Sequence, residues 1–528
     1  MDMNYLIDKI KRLFKGDNKE NDLINIHIED LSVYYELMNN EDDKSRINQN
    51  ILDLDLNDVF FKIDYTNSII GKQYLYNHFV SQKANLKDID AIEENIKFLE
   101  SNPREKESLE RILKKAYSIK LFQLPHLFLG SSIPLYKYIN LFLLLSFSAF
   151  LSLLFSVFNS SFLLLFLFIS TLNLGIHYYN KRKLLIYSDS ISQLLTLYKM
   201  AKSIKRKSKL PSNQDLKDET IESLFPIRYW LRLISSGNFM EINDLSLLLL
   251  YIFELLKGCF LVELIAMQKV FKNIEEQKEN IHSLYILIGK TDLYLSILEL
   301  RKQMPYYCKA EFYLDSKSLI CEDIIHPLID NCIPNTIALK NQSLIITGSN
   351  MSGKTTFLRA IATNNILANT INTCFAKRFV SSRFQTLTSI RVTDDIFESK
   401  SFFFQEVSLI KTLIEYGNKE NNCLFIIDEL FKGTNTRERI AASKSILHFL
   451  NKTSHIVLFS THDLELIELL DQGFERGYFH EIVEDGKLIF DYKFQKGKSY
   501  LTNAIRILEM NNYPMEIIED AYINVKES

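Results

Sequence analysis

Residues 348–355 have the types and spacing that bind a polyphosphate. They read Gly-Ser-Asn-Met-Ser-Gly-Lys-Thr, which fills the pattern G-x-x-x-x-G-K-[ST] of a Walker A phosphate-binding loop. The apolar residues before the loop predict a buried strand, and those after it predict a helix whose N-terminus faces the anion. Lys354 would reach the β- and γ-phosphates, and the Thr355 hydroxyl would hold Mg²⁺. A glycine turn that matches by chance is the alternative, and the flanking strand and helix argue against it. The predicted ATP-binding residues are Gly348, Ser349, Asn350, Met351, Ser352, Gly353, Lys354, Thr355 and Thr356.

Two carboxylates follow a second apolar run. Residues 423–427 read Cys-Leu-Phe-Ile-Ile, a pattern typical of a parallel strand covered on both faces, so Asp428 and Glu429 would lie at its carboxyl end. Asp428 is placed to hold Mg²⁺, and Glu429 to polarise the attacking water. Adjacent acidic residues after a strand can instead cap a helix, and only the accompanying phosphate loop makes that alternative the weaker one. A third run, at 456–459, is followed by His462, which could contact the γ-phosphate but in isolation would more often be structural. The predicted catalytic residues are therefore Glu429, His462 and Lys354.

Helical patterns occupy most of the chain before these motifs. Residues 20–125 and 215–305 are mostly helical in pattern, and residues 64–68 offer turn and N-cap side chains for a following helix. Residues 247–267 are apolar but are interrupted by charged side chains, which predicts a helix buried in a bundle rather than a membrane span. From about residue 321, short apolar strands alternate with amphipathic helices, as in an α/β domain.

The stretch 138–180 contains no Asp, Glu, Lys or Arg. Two apolar runs, 139–158 and 162–179, flank a short polar turn. About 20 residues at ~1.5 Å rise cover the ~30 Å core of a bilayer, so the pattern predicts a transmembrane helical hairpin. Basic residues at 137 and 181–183 place both ends of the hairpin in the cytoplasm. A hairpin buried in a soluble core is the alternative, although a soluble helix normally carries a polar stripe.

The amino-acid composition limits the classes of protein to which the chain can belong. The 528 residues suffice for several domains, and a formal net charge of −3 is not that of a nucleic-acid binder as a whole. The basic run at 199–209 is a solvated loop by default, with contact to anionic lipid headgroups or to nucleic acid as further alternatives. The six cysteines are scattered without metal-ligand spacing. They indicate a reducing compartment, with neither a zinc site nor a disulfide framework.

The motifs that carry these residues resemble the MutS family of ABC-type ATPases. The Asn-Met pair between the two glycines of the phosphate loop is distinctive, and the order and gaps of the motifs agree over about residues 321–515. Residues 52–75 and 289–296 resemble, more weakly, the start and end of the family's helical core. The other matching motifs are Ile-His-Pro-Leu-Ile at 325–329, Pro-Asn at 334–335, Ser-Phe-Phe-Phe-Gln-Glu at 401–406, Asp-Glu-Leu-Phe-Lys-Gly-Thr-Asn-Thr at 428–436 and Ser-Thr-His-Asp at 460–463.

The resemblance implies a head-to-head homodimer that holds two ATP molecules with Mg²⁺, each site being completed by the Ser401 region of the other subunit. Phe402 stands where the family has a hydroxyl residue, which weakens that expected contact. The family's repair proteins begin with a mismatch-reading domain and a connector domain. Here the core-like segment starts near residue 50, and the run 138–180 stands where those proteins have a DNA clamp. The chain therefore resembles a membrane-anchored subgroup that lacks both domains.

These observations predict an α + α/β fold, in which a long-helix core and lever region with a two-helix transmembrane hairpin is followed by an ABC-type P-loop ATPase domain. The expected bounds are 1–125 for the N-terminal helical region and start of the core, 126–183 for the hairpin, 184–320 for the remaining core and levers, and 321–528 for the ATPase domain.

Three functions compete. The favoured one is a homodimeric ATPase switch tethered to the cytoplasmic membrane, with its ATPase domain in the cytoplasm. The second is a membrane-associated DNA repair or recombination factor that binds duplex or mismatched DNA. The third, half of an ABC transporter, would need more spans and a Leu-Ser-Gly-Gly-Gln-like segment, which the sequence lacks. A non-hydrolysing scaffold is disfavoured because Lys354, Asp428 and Glu429 are all present.

Overall fold

The computed structural model of the protein describes residues 27–115, 117–130, 138–214, 216–227, 230, 252–253, 255–313, 317–349, 351–391, 402–419, 422–431, 433–470, 473–484, 487–497, 508–509 and 513–527. Two residues of the predicted nucleotide site, Asn350 and Ser401, lie outside these ranges.

Most of the described residues before residue 305 are helical. Helices α1, α4 and α11, defined below, pack around an aromatic core in which the Tyr34 and Tyr285 ring centroids are 4.7 Å apart. The helices are α1 (Ile28–Met38), α2 (Glu41–Asp53), α3 (Leu56–Ile63), α4 (Ile69–Ser81), α5 (Leu86–Ser101), α6 (Pro103–Lys114), a 3-10 helix (Ile119–Leu127), α7 (Ile139–Phe155), α8 (Ser161–Lys207), a second 3-10 helix (Pro211–Gln214), α9 (Asp218–Glu222), α10 (Val262–Glu276) and α11 (Lys278–Gln303).

The two weakly matching core segments lie against each other. Ser68 caps α4, as the sequence predicts, by accepting a hydrogen bond from the Gly71 backbone N–H at 3.0 Å. Gly71 and Gly289 allow α4 and α11 to approach closely, because a Cβ on Gly71 would overlap Asp292 and a Cβ on Gly289 would overlap Tyr74. Two segments more than two hundred residues apart in sequence thus pack closely against each other.

Two apolar helices form where the sequence predicts them, with the turn between Phe155 and Ser161. Helices α7 and α8 pack against each other, and the rings of Phe155 and Phe162 are 5.6 Å apart across the turn. Among the described residues, one helical stretch, Ser161–Asn180, is long and apolar enough to cross a membrane, whereas α7 is shorter. The structure therefore provides one candidate span, and a hairpin that crosses the bilayer twice stays a prediction.

The segment 247–267, predicted to be a buried bundle helix, agrees with that expectation from residue 262 on, where Leu264 and Met267 are buried in the core, and differs from it in the described residues before that point. Lys257 and Gly258 are buried, and the helix is interrupted at Leu261, whose φ of 50° is left-handed, before α10 begins. Four large apolar side chains are instead exposed: Ile252, Phe253, Leu255 and Leu256.

The C-terminal part alternates strands and helices, in agreement with the predicted α/β pattern. Its strands are β1 (Ala310–Phe312), β2 (Ser318–Ile324), β3 (Asn335–Lys340), β4 (Ser343–Thr347), β5 (Arg378–Ser381), β6 (Gln385–Ser389), β7 (Cys423–Asp428), β8 (Ile456–Ser460), β9 (Phe474–Tyr478), β10 (Glu481–Glu484), β11 (Lys487–Phe490) and β12 (Gln495–Lys496). Its helices are α12 (Lys354–Ile371), α13 (Phe402–Lys419), α14 (Thr436–Asn451), α15 (Leu464–Leu469) and α16 (Met515–Glu527).

A six-stranded sheet of order β12-β9-β4-β8-β7-β6 forms the centre of this part. Strands β9, β4, β8, β7 and β6 are parallel, and β12 is an antiparallel edge strand. Every residue of β4 and β8 is buried, as expected for strands covered on both faces. Because the strands are parallel, their carboxyl ends lie side by side, at Thr347 of β4, Ser460 of β8 and Asp428 of β7. This edge is where open α/β sheets bind ligands.

The helical part contacts the sheet at its β6 edge. Asn50 donates to the Thr386 carbonyl at 2.9 Å, and the buried Asp53 carboxylate accepts from the backbone N–H of Arg391 at 2.8 Å. Burial raises the pKa of Asp53 although these hydrogen bonds oppose the shift. Two residues further on, Asp55 pairs with the Arg391 guanidinium at 2.8 Å. The end of α2 is thereby fixed to the end of β6.

Candidate nucleotide-binding site

The phosphate loop connects β4 to α12 through left-handed backbone. Gly348 has a φ of 139° and Gly353 a φ of 106°, a region that favours glycine. A Cβ on Gly348 would lie 2.5 Å from the Phe479 carbonyl oxygen, so both the conformation and the space require glycine there. Met351, at the tip, also has a positive φ of 75°, and its side chain is exposed. The spacing of the two glycines is therefore a requirement of the backbone path.

The side chain of Lys354 points into the loop. It is nearly fully buried, and its ammonium donates to the carbonyl oxygens of Gly348 and Ser349 at 2.7 Å each. A buried ammonium held by neutral carbonyls can exchange them for phosphate oxygens, which carry more negative charge. The N-terminus of α12, which begins at Lys354, faces the same place. The predicted role of Lys354 agrees with this position.

Thr355 and Asp428 meet at the carboxyl edge of the sheet. The Thr355 hydroxyl donates to Asp428 Oδ2 at 2.7 Å, and the Ser460 hydroxyl donates to Asp428 Oδ1. A hydroxyl and a carboxylate are the ligand types that Mg²⁺ takes together with substrate phosphates. The donor set thus fits Mg²⁺, with Thr355 and Asp428 as the residues that would hold it, as the sequence predicts.

Glu429 and His462 form the other polar pair of the site. Glu429 follows the last residue of β7 with a φ of 65°, and its backbone N–H donates to the Ser460 carbonyl at 3.0 Å. His462 Nε2 lies 3.2 Å from Glu429 Oε1, and both side chains are partly exposed. The histidine thus contacts the predicted base itself. Left-handed backbone at a residue with a β-carbon costs of order 1 kcal/mol and concentrates at functional positions.

The structure brings together the predicted residues that it describes. Ser352 lies inside the loop, where its hydroxyl donates to the Ser349 carbonyl at 2.9 Å. Thr356 follows Thr355 in the first turn of α12. The positions of Asn350 and Ser401 remain predictions because both fall outside the described residues.

Two carboxylates beside the site were not found from the sequence. Glu481, at the start of β10, accepts a hydrogen bond from the Ser349 hydroxyl. Glu406 of α13 is buried, and its Oε1 accepts from the Phe431 backbone N–H at 2.6 Å. Glu406 is the last residue of the 401–406 motif. The motif indicated that this segment belongs to the site, but it did not predict the contact with Phe431. Glu481 belongs to no motif, and only the fold brings it to the loop.

Charged groups below the site connect it to the helical part. Arg359 of α12 pairs with Asp55 at 3.0 Å, and burial together with the nearby Arg391 lowers the pKa of Arg359. His326 of the His-Pro motif is buried close by. Burial and then the Arg359 charge lower its pKa to about 4. The imidazole is therefore neutral, which agrees with His326 Nδ1 accepting a hydrogen bond from the Leu328 N–H at 3.3 Å.

The fold and this site define a P-loop nucleotide-binding domain. Residues 344–527 match the family model described as MutS domain V. Three relatives share the name DNA mismatch repair protein MutS. That of Staphylococcus haemolyticus (strain JCSC1435) is 29% identical over 264 residues, 48% of this chain and 29% of the relative. That of Geobacillus sp. (strain WCH70) is 28% identical over 266 residues, 47% and 30% of the two chains. That of Staphylococcus aureus (strain JH9) is 28% identical over 269 residues, 48% and 30%.

In its C-terminal part the chain is therefore similar to proteins of the MutS family. The matched region amounts to less than a third of the length of those relatives. The predicted family resemblance is thereby confirmed for the nucleotide-binding half.

Proposed function

We propose that the protein is a membrane-attached ATPase switch of the MutS type, which binds and hydrolyses ATP as a homodimer. The observation that carries the proposal is the 2.7 Å hydrogen bond between Thr355 and Asp428, at the mouth of a loop that encloses the Lys354 ammonium. Phosphate-binding and metal-binding residues, separated by 73 positions in sequence, are already adjacent. ATP hydrolysis needs such positioning more than it needs covalent chemistry from the protein.

Each residue has a separate task in this proposal. The loop N–H groups and Lys354 bind the phosphates of ATP. Mg²⁺, when bound at Thr355 and Asp428, neutralises charge on those phosphates. Glu429 orients a water molecule and accepts its proton, and His462 holds the Glu429 carboxylate in position at 3.2 Å. The Ser401 segment of the second subunit completes the site, as the family resemblance implies.

The distribution of buried side chains supports membrane attachment by α7 and α8. Within the apolar part of this pair, α7 and Ser161–Asn180, the buried positions are mostly small or polar: Phe142, Ala149, Ser152, Ser170, Asn173, His177 and Asn180. Many of its large apolar residues are exposed, including Leu144, Phe147, Phe150, Leu164 and Phe168. A soluble hairpin would bury the second group and expose the first. Small residues at helix contacts and apolar residues outside are the arrangement of membrane helices.

The proposed location is the cytoplasmic membrane, with the ATPase domain in the cytoplasm. The basic residues 181–183 directly follow the candidate span within the same helix, which favours that orientation. Flotation of native membranes tests the attachment. We expect the protein to float with lipid after washing at high salt and high pH. Recovery of the chain in the washed supernatant would contradict it.

A DNA repair factor held at the membrane is the second candidate, and the names of the relatives favour it. The deciding experiment is an ATPase assay of the detergent-purified protein with and without duplex DNA, over a range of salt. The switch proposal expects Mg²⁺-dependent turnover that duplex DNA leaves unchanged. Stimulation that declines steeply with salt would instead support the repair candidate, because phosphate contacts release counterions.

A further inference from the structure

The described residues 252–253 and 255–263, which lie beside α8, have their charged side chains covered and large apolar side chains exposed. Lys257 is buried, with its ammonium 4.6 Å from the centre of the Phe253 ring, and Glu263 is largely covered. The exposed residues nearby are large and apolar: Ile252, Phe253, Leu255, Leu256 and Val262. Water would favour the opposite arrangement, since burying a charge is costly and exposing apolar area gains nothing.

The helical path of this segment is broken beside α8. Leu261 is left-handed, and the last carbonyls before such a break lose their helical partners. One of them, the carbonyl of Cys259, accepts a hydrogen bond from Asn173 Nδ2 of α8 at 2.7 Å, and Asn173 is fully buried. Interrupted helices occur at membrane depth where neighbouring protein groups satisfy the freed backbone in this way.

A second polar contact lies one helical turn along α8. His177 Nε2 is 3.5 Å from Glu263 Oε2, and His177 is almost completely buried. Between the two contacts, Gly258 lies against Leu174, because a Cβ there would come within 2.7 Å of the leucine side chain. We call Asn173, His177, the Cys259 carbonyl and Glu263 the polar clasp. It holds the broken helix directly against the candidate membrane span.

We infer that residues 252–253 and 255–263 form a third membrane-embedded element, whose exposed apolar face contacts lipid acyl chains and whose polar groups close on α8. The inference rests on the proposed membrane attachment. Lipid is the occupant because this apolar face adjoins the uncharged first part of α8, Ser161–Asn180, with the Phe260 ring 6.1 Å from that of Phe166. Lys257 is buried and Glu263 is largely covered, so the described residues of this face expose apolar side chains and no charged one.

The third element also joins the membrane unit to the nucleotide-binding domain. Helix α10 continues through Gln277 into α11, the helix that carries Arg301. Arg301 is buried and donates to Thr373 Oγ1 at 3.0 Å and to the Asn372 carbonyl at 3.1 Å, just beyond the end of α12. A shift of the phosphate-loop helix therefore has a continuous covalent and hydrogen-bonded route to the lipid-facing segment.

Lipid contact can be read from tryptophan fluorescence of the full chain in vesicles of phosphatidylcholine brominated on its acyl chains. The single native tryptophan is first replaced by Trp230→Phe. One tryptophan is then introduced by Phe253→Trp in the third element, by Phe147→Trp in α7, or by Phe449→Trp on α14 of the ATPase domain. All three native phenylalanines are exposed, so the variants are matched.

We expect brominated lipid to quench the tryptophan at 253 and at 147 to a similar extent, and to leave that at 449 unquenched. Quenching at 147 without quenching at 253 would overturn the third element while leaving the hairpin attachment intact. That result would be expected if a second copy of the chain, rather than lipid, covered the face. Absence of quenching at both positions would overturn the membrane attachment itself.

The polar clasp has its own test in the reactivity of the Cys259 thiol toward a membrane-permeant maleimide, with Cys308→Ser and Cys332→Ser removing the other partly exposed thiols. Asn173→Ala should increase the labelling rate, because the clasp loses its donor. Asn180→Ala is the matched control, since Asn180 Nδ2 donates to the Ile176 carbonyl of its own helix at 2.8 Å. Equal labelling rates in the two variants would contradict the clasp.

Discussion

Asp292 accepts hydrogen bonds from both the backbone N–H and the hydroxyl of Ser68, at 2.8 and 2.6 Å, although 224 residues separate them in the chain. The carboxylate is fully buried and also accepts from the Asn67 N–H at 2.9 Å. Burial raises the pKa of Asp292 even though these donors oppose the shift. Helices α4 and α11 are thus joined by one carboxylate, which accepts hydrogen bonds from the two residues directly before α4.

Removing this carboxylate should destabilise the lever region. We expect Asp292→Ala to lower the free energy of unfolding by about 3 kcal/mol, because several buried donors lose their acceptor. Asp292→Asn should cost less, since one acceptor oxygen remains. Thermal unfolding of the detergent-purified protein measures both. Asp330→Ala is the control, because that side chain is 92% exposed. A comparable loss of stability in Asp330→Ala would contradict the special role of Asp292.

His326 should make stability depend on pH. Its folded-state pKa of about 4 lies below the ordinary value of 6.5, so below pH 6.5 the unfolded chain binds a proton that the folded chain does not. His326 therefore leaves the free energy of unfolding unchanged above pH 6.5. As the pH falls from 6.5 toward 4, it lowers the free energy of unfolding by about 3 kcal/mol at most. Other buried histidines, such as His78, shift in the same direction. The measurement is therefore the difference between wild type and His326→Gln in unfolding midpoint at several pH values, and parallel curves would contradict it.

Different mutations should impair nucleotide binding and nucleotide hydrolysis separately. Lys354→Ala should abolish nucleotide binding, since the ammonium lines the phosphate cradle. Glu429→Gln should retain binding, slow turnover by about 10²- to 10⁴-fold and accumulate a closed dimer, because only proton acceptance is lost. Fluorescent nucleotide titration and phosphate release distinguish the outcomes. Glu468→Gln, at an exposed position of α15, serves as the control. Unchanged turnover in Glu429→Gln would show that another group acts as the base.

Ser460 should influence the requirement for Mg²⁺. Its hydroxyl donates to Asp428 Oδ1, and partners of metal ligands typically change metal affinity by about 10- to 100-fold when removed. We therefore expect Ser460→Ala to raise the Mg²⁺ concentration for half-maximal turnover by about 10-fold, with near-normal turnover at saturating Mg²⁺. Ser445→Ala, whose hydroxyl bonds only within its own helix, should leave the Mg²⁺ curve in place. Identical curves for the two variants would exclude this role for Ser460.

The sequence predicts those parts of the site that depend on local backbone chemistry. The glycines of the phosphate loop and the acidic pair after β7 are local patterns, and the structure places them where expected. Contacts between distant segments, such as Asp55 with Arg391 and Glu406 with the Phe431 N–H, leave no local pattern and were not predicted. The interruption at Leu261 was also missed, because the left-handed residue itself is a leucine and neither a glycine nor a proline. Its charged neighbours suggested a buried bundle helix, whereas the described part exposes apolar residues.

Helix α8 contains 47 residues, which at 1.5 Å per residue gives a length of about 70 Å. Its first part is the candidate span, and its last turn reaches Lys207, so one uninterrupted rod passes from the proposed bilayer into the lever region. A rigid helix of this length sets the distance between the proposed bilayer and the nucleotide site. It also acts as a mechanical arm, in which a slight tilt at the membrane becomes a large sweep at the far end. A change in bilayer tension or thickness that tilts the span would thereby displace the end of α8 that lies on the side of the ATP site.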